Sequence, residues 1–476
     1  MPQNFRFVRH ASSNLGSVAL NFNSLEFLIL FLPATFITFY LVPMRLRLWV
    51  LVVASLLFYG ASGIEVLLAF LIAIIWGYGA AFLLRKRRGL LAIATAISLP
   101  LLLLIMFKYL KFGLDSVHAE PATRDYFWFF LSILLPAGIS FYTFEIVSYL
   151  LDVADRKIEP DRDLLRFGSF ATFFPHLIAG PIMRYADLRQ QLQMLQSTEI
   201  LKPKIVSGLR FLAIGLFFKT FVSDVSGMQV AKATGVPLEQ LTTIDQLIQI
   251  QFWAAQIYYD FWAYSIMAIG LGRLFCVELP VNFREPYLSR NPREFWQRWH
   301  VTLSYWLRDY VYIRMGGRDA YVRNILFVFA LVGLWHGAGW NFVAWGIYHA
   351  ILVIIYHFTA HMWDRLPPPV SIALTYILVS FGWPLFFLSL DNYVLYLAHM
   401  VTASAHVAVY RPQDWLFLAV VGFVTFGLRE GTWLYRETWS DTGRHHVTDA
   451  PAAVAVVLFV GLLCLTWSST FIYFRF

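Results

Sequence analysis

The segment Gly333-Leu-Trp-His-Gly-Ala-Gly-Trp340 places an imidazole inside 35 consecutive residues, 324–358, that contain no Asp, Glu, Lys or Arg. An ionisable group at that depth in apolar sequence is costly unless it faces a cavity or a partner. Imidazole is also the side chain that exchanges protons near neutral pH, so His336 is a candidate general base. Gly337 and Gly339 remove side chains beside it. That lets a substrate or another backbone approach closely, or lets a helix break there. Both glycines are candidates for the constriction of a tunnel past the histidine, and Trp335 and Asn341 are candidate substrate contacts. The plainer reading is a packed histidine bonded to a neighbouring carbonyl, and the glycine flanks weigh against it.

A second group of candidates lies upstream. Residues 281–323 hold eight arginines and four acids, interleaved with Trp296, Trp299, Tyr305, Trp306, Tyr310 and Tyr312. Such a mixture cannot face lipid tails, so it must lie at the membrane interface or fold into a polar cavity. His300 is the second catalytic candidate. Arg293, Arg298 and Arg308, with Trp299, are candidate donor contacts, because guanidinium forks match phosphate oxygens. Anchoring at the membrane surface explains the same residues almost as well. His349 and His357 are eight residues apart, about two helical turns, and so share a face. For them packing is the better explanation.

Several chemistries lack their residues. There is no Gly-x-Ser-x-Gly elbow, no His-Glu-x-x-His zinc motif and no phosphate-binding Walker loop. No histidine is followed by Asp five positions on, and the two cysteines, Cys276 and Cys464, can build neither a metal site nor a disulfide framework. No metal or bound cofactor is expected. What remains is base catalysis, in which His336 takes the proton of a hydroxyl and that oxygen attacks an activated acyl carbonyl directly.

The elements that position these residues are membrane helices. The 476-residue chain is 59% hydrophobic and 14% charged, and its mean hydropathy is +0.61. Soluble domains carry about 25% charged residues. Apolar runs near 25–42, 48–84, 89–107, 126–151, 167–182, 205–222, 247–275, 324–358, 370–390, 393–409, 414–428 and 452–471 predict an all-α polytopic fold. At roughly 20 residues per crossing, they suggest about ten to twelve spans, with interfacial and re-entrant pieces. Two runs are too long for one helix and should divide, at Gly60 and Gly63 and at Gly337 and Gly339. Residues 1–20 read as a polar tail and 21–476 as one membrane-embedded domain. Pro367-Pro368-Pro369 reads as a turn. The net charge of +8 lies mostly in short loops, which argues for anionic lipid rather than nucleic acid. Arg85-Lys86-Arg87-Arg88 marks a cytoplasmic loop, which puts the amino terminus outside.

With these residues in hand, a resemblance is visible. NFNSLEFLILFLP at 21–33, LLPAGISFYTFEIVSYLLDV at 134–153, FFPHLIAGPIMRY at 173–185, RNPREFWQRWH at 290–300 and the LWHG containing His336 resemble the membrane-bound O-acyltransferase family. The signature core spans about 134–350, and the bacterial alginate O-acetyltransferase branch is the nearest, with teichoic acid D-alanyl transferases close by. The carboxyl third departs from the pattern, since Trp383-Pro-Leu-Phe-Phe-Leu-Ser-Leu390 keeps the aromatics but lacks an arginine. The resemblance implies that His336 is the catalytic histidine and His300 the second signature position. It further implies a cytoplasmic acyl donor, acetyl-CoA being favoured, and a polysaccharide acceptor reached directly or through an extracytoplasmic esterase-like partner. The setting would be the bacterial inner membrane. D-Alanyl transfer to teichoic acid is the near alternative. A proton-coupled transporter, which would need paired halves that the sequence lacks, and a scaffold for polymer export are the alternatives of another kind.

Overall fold

The computed structural model describes residues 20–87, 89–133, 135–197, 204–402 and 408–427. The polar tail up to residue 19, the apolar run 452–471 and Cys464 lie outside the described residues. Every regular element described is helical. The helices used below are α1 (Glu26–Leu41), α2 (Arg47–Gly60), α3 (Ile64–Lys86), α4 (Leu90–Ser116), α5 (Ile139–Ala154), α6 (Ile205–Thr234), α7 (Thr243–Leu274), α8 (Pro292–Arg298), α9 (Val301–Leu307), α10 (Tyr321–His336), α11 (Trp340–Trp363) and α12 (Pro368–Phe387).

Five of these, α3, α4, α6, α11 and α12, are long and apolar enough to cross a membrane, and α1 and Pro412–Gly427 are shorter apolar helices. The twelve apolar runs thus yield five helices of spanning length and composition among the described residues, for physical reasons. The run at 167–182 folds as two short helices, Leu164–Thr172 and Phe174–Leu177, packed inside the protein. The run at 126–151 is interrupted, because Pro136 precedes Gly138, whose φ of +74° no helix accommodates. A side chain at Gly138 would also strike the Leu177 carbonyl. α7 is 32 residues long and too polar for a lipid-facing span. It is instead the buried spine of the molecule, with every residue from Phe252 to Leu274 inside.

Local signals explain the boundaries that matter. α7 begins at a capping box, in which Thr242 Oγ1 accepts from the Asp245 amide at 3.0 Å and Asp245 Oδ2 accepts from the Thr242 amide at 3.1 Å. α8 begins with Asn291 accepting from the Glu294 amide at 2.8 Å and with Pro292 in its first turn. The 48–84 run divides as expected, since α2 ends on Gly60 and α3 follows Gly63. The 324–358 run also divides where the glycines stand. α10 ends on His336, Gly337 and Gly339 are extended, and α11 starts at Trp340. The prolines at 367–369 turn the chain and then open α12 at Pro368.

α10 and α11 form a tight antiparallel pair. Gly333 and Gly346 make it possible: a Cβ on Gly333 would lie 2.2 Å from the Phe342 carbonyl oxygen, and one on Gly346 2.1 Å from that of Phe329. Small residues at such crossings let membrane helices touch backbone to backbone. Residues 281–323 form no span. They fold into α8, α9 and irregular turns, with Trp299, His300 and Leu303 buried in the protein. Ion pairs tie their charged end to the other charged loops: Arg314 to Asp155 at 2.7 Å, Arg184 to Asp309 at 2.5 Å, and Arg85 to Glu159 at 3.4 Å. The arginine-rich segment and the Arg85 loop therefore share one face of the molecule.

Candidate active site

His336 is the last residue of α10, and its side chain is buried. Three aromatic rings meet its imidazole at steep angles: Trp335 at 4.9 Å, Trp345 at 5.0 Å and Phe386 at 5.2 Å between centroids. His300 is fully buried and holds a left-handed backbone (φ +44°) at the start of α9. Its ring lies 5.4 Å from Trp335, so one indole touches both histidines. On the other side Trp345 touches His349 at 4.7 Å. Sequence spacing favours packing for His349, and the structure gives it an aromatic box of Phe295, Trp296, Trp345 and Trp383. It nevertheless belongs to the same buried cluster as His336. His357, two turns further along α11, lies apart from this cluster, and its Nδ1 accepts from Arg293 at 3.2 Å.

A cavity of about 900 Å³ opens beside this cluster. Among the described residues, four arginines line it, Arg284, Arg293, Arg308 and Arg318, and no carboxylate does. Tyr305, Tyr312 and Tyr321 join the arginines, while Leu303, Val328, Val332 and Val353 give it an apolar interior. Three lining residues lead back to the histidines. Val332 lies four residues before His336 on α10 and Val353 four after His349 on α11, and residues four apart on a helix share a face. Trp296 of α8 touches the His349 ring at 5.2 Å between centroids. The cavity wall is thus continuous with the histidine cluster on three helices.

The remaining candidates separate. Trp335 stands between His300 and His336. Arg293 and Arg308 line the cavity. Arg298 does not: its guanidinium pairs with Glu294 at 2.6 Å and donates to the Arg284 carbonyl at 3.3 Å. Trp299 is buried among Phe295, Phe283, Tyr258 and Trp383, away from the cavity lining. Asn341 donates to the Leu385 carbonyl at 2.8 Å and so ties the start of α11 to α12. The space beside Gly337 is filled by the Phe342 ring, 2.1 Å from where a Cβ would stand, and that beside Gly339 by the Asn341 amide at 2.5 Å.

Electrostatics at the rim are set by neighbouring charges. Burial alone would raise the Asp309 carboxyl, but bonds from Arg308 and Arg184 outweigh it and hold the group below the usual carboxylate range. Asp309 is therefore an anion that fixes Arg308 at 2.6 Å. No cluster of three His, Cys, Asp or Glu that could hold a metal ion occurs among the described residues.

Sequence reasoning missed three residues at this site. Asn282 Oδ1 lies 3.0 Å from His300 Nδ1. Lys108 and Tyr109 of α4 reach the carbonyls at the end of α10. Lys108 had a signal, as a charged residue within the apolar Met106-Phe-Lys-Tyr-Leu110. Asn282 had none.

An all-helical membrane protein with a buried imidazole beside an arginine-lined cavity is suited to group transfer at membrane depth. The sequence model of the membrane-bound O-acyltransferase (MBOAT) family matches residues 91–399, and the chain belongs to that family. It is 34% identical to a probable alginate O-acetylase AlgI of Pseudomonas syringae pv. tomato, over 90% of this chain and 86% of the relative. It is 30% identical to a peptidoglycan O-acetyltransferase of Helicobacter pylori, over 77% of each. A teichoic acid D-alanyltransferase of Bacillus subtilis is 27% identical over 52% of this chain and 68% of that protein. The protein is thus a multi-pass membrane acyltransferase, which removes the ground for a transporter or a pure scaffold.

Proposed function

We propose that the protein transfers an acetyl group from acetyl-CoA to hydroxyls of an exported or cell-envelope polysaccharide, with His336 as general base. The observation that carries this reading is the cavity: four arginines and, among the described residues, no carboxylate at its lining, and a wall that runs to the histidine cluster on α8, α10 and α11. Arginine forks suit the phosphates of CoA, and the apolar interior suits the pantetheine arm and acyl group. The cavity shares a face with the positive Arg85 loop, so by the positive-inside rule it opens to the cytoplasm.

The chemistry balances without a covalent enzyme intermediate. His336 takes the proton of the acceptor hydroxyl as its oxygen bonds to the acyl carbon. The carbon–sulfur bond then breaks, and the imidazolium returns the proton to the departing thiolate. The acceptor arrives from the outer face, directly or on an extracytoplasmic esterase-like partner, and the membrane is the bacterial cytoplasmic one. Relatives named for alginate and for peptidoglycan support a glycan acceptor. The D-alanyltransferase relative is less similar and covers less of the chain, which favours acetyl over D-alanyl.

The test is transfer from labelled acetyl-CoA, or from D-alanyl carrier protein, by the purified protein in proteoliposomes supplied with alginate or with peptidoglycan fragments. Label in glycan from acetyl-CoA alone supports the reading. Label from the D-alanyl carrier alone overturns the choice of donor.

A further inference from the structure

α10 stops at His336, and a helix that stops leaves its last carbonyls without partners along the helix. In apolar surroundings each such carbonyl must find a donor or be left buried and unsatisfied. The four carbonyls of the last turn of α10 are all accounted for. Gly333 O accepts from the Gly337 amide at 3.2 Å. Leu334 O accepts from the Tyr109 hydroxyl at 2.8 Å. Trp335 O accepts from Lys108 Nζ at 2.5 Å, and His336 O lies 3.4 Å from the same nitrogen. Two adjacent side chains of α4 therefore serve three carbonyls on a helix more than 220 residues away in sequence.

The local structure of α4 makes this reach possible. Ile105–Tyr109 is a π-helical turn within the apolar α4. Such a turn inserts one residue and redirects the side chains that follow. Among the described residues the hydrogen-bond acceptors of Lys108 Nζ are all oxygens, the third being Ser140 Oγ of α5 at 3.4 Å, and no carboxylate pairs with it. It does not line the arginine cavity.

We propose that Lys108, with Tyr109, is a positioning residue for the reaction: it caps the catalytic end of α10 and fixes where the His336 imidazole stands. The cap acts on the backbone of residues 334–336, so the ring swings on a held Cα rather than on a frayed turn. The proposal rests on His336 being the base. It separates two properties that a global packing role would join. Donor binding belongs to the arginine cavity, whereas the height of the imidazole belongs to the cap. A displacement of about 1 Å at a reacting group can cost about 10²-fold in rate.

The experiment compares Lys108→Met, Lys108→Gln, Lys108→Arg, Tyr109→Phe and His336→Ala in proteoliposomes, reading kcat and the KM for acetyl-CoA, with protein amount checked in membranes. Lys108→Met should lower kcat about 10- to 100-fold with donor KM within about twofold. Lys108→Arg, which keeps the N–H donors, should recover most of the rate, and Lys108→Gln part of it. Tyr109→Phe removes one bond and should lower kcat by less, with the same unchanged KM. It keeps the test decisive if the Met variant does not accumulate. A Lys108→Met or Tyr109→Phe enzyme with unchanged kcat overturns the proposal, as does a loss carried by donor KM. If His336→Ala is inactive while Lys108→Met is normal, only the cap is wrong. If His336→Ala is active, the reading of the base itself has failed.

Discussion

Nδ1 of His300 donates to Oδ1 of Asn282 across 3.0 Å. The direction of this bond is fixed by a neighbour. The Thr302 amide, which can only donate, reaches the same Asn282 oxygen at 3.3 Å, and the Thr302 hydroxyl reaches it at 3.0 Å. The proton of the neutral imidazole therefore sits on Nδ1, and the lone pair on Nε2, which has no hydrogen-bond partner among the described residues. The Thr302 hydroxyl is itself held by the Ile182 amide at 3.0 Å, so the 173–185 segment braces the same ring.

Asn282→Ala should free the His300 ring to turn and to change tautomer. The expected result is a fall in kcat of up to about 10²-fold with donor KM little changed. Asn282→Asp keeps an acceptor in place and should retain more activity than the alanine variant. Equal activity of Asn282→Ala and the unaltered enzyme would mean that the orientation of His300 does not matter to the reaction.

The arginines divide by where they point. Arg293 and Arg308 line the cavity, whereas Arg298 is occupied by Glu294. A charge-assisted hydrogen bond contributes about 1.5–3 kcal/mol, so Arg293→Ala should raise the KM for acetyl-CoA by roughly 10- to 100-fold. Arg298→Ala removes a partly exposed pair and should change it by less than about threefold. The two KM values, measured side by side at one salt concentration, decide whether the cavity or the segment as a whole holds the donor.

Asp161 lies in the loop after α5 and accepts from Arg166 through both oxygens at 2.7 Å, and from the Asp163 amide at 2.8 Å. Burial alone would raise its pKa, but the Arg166 bonds, the Asp163 amide and the nearby Arg189 hold it below the usual carboxylate value. A depressed carboxyl contributes stability that is complete above the unfolded pKa of about 3.9 and is lost as pH falls through the folded value. Asp161→Asn should therefore melt lower than the unaltered protein at pH 7, by about 1.5–3 kcal/mol of stability. The gap should narrow below about pH 4. Melting curves in detergent across that range check it, and a gap independent of pH would contradict it.

Much of this was readable from residue types alone. The breaks at Gly60–Gly63 and Gly337–Gly339 were legible because glycine ends helices by its own backbone chemistry. Residues 281–323 could not be a span because eight arginines cannot enter lipid. Trp335 beside His336 was legible as a neighbour in sequence. The Glu294–Arg298 pair, four residues apart, carried a helical signal that Arg298 was already engaged. The Lys108 cap and the Asn282 bond were not legible, since each depends on segments meeting in space. Which apolar runs form complete spans was not legible, because an apolar run can be the buried interior of a protein as well as a crossing. The segment at 167–182 and the spine α7 are both of that kind.

The most direct test of the account is acyl transfer by His336→Ala. Its ring packs against Trp335, Trp345 and Phe386 at the end of a helix whose backbone is held by other residues. The variant should therefore reach the membrane in normal amount. A positioned base contributes roughly 10²–10⁴-fold, so transfer from labelled acetyl-CoA should fall by at least about 10²-fold while donor binding persists. A His336→Ala protein present at the normal level and transferring acetyl at near the normal rate would contradict the assignment of the base, and His300 would take its place.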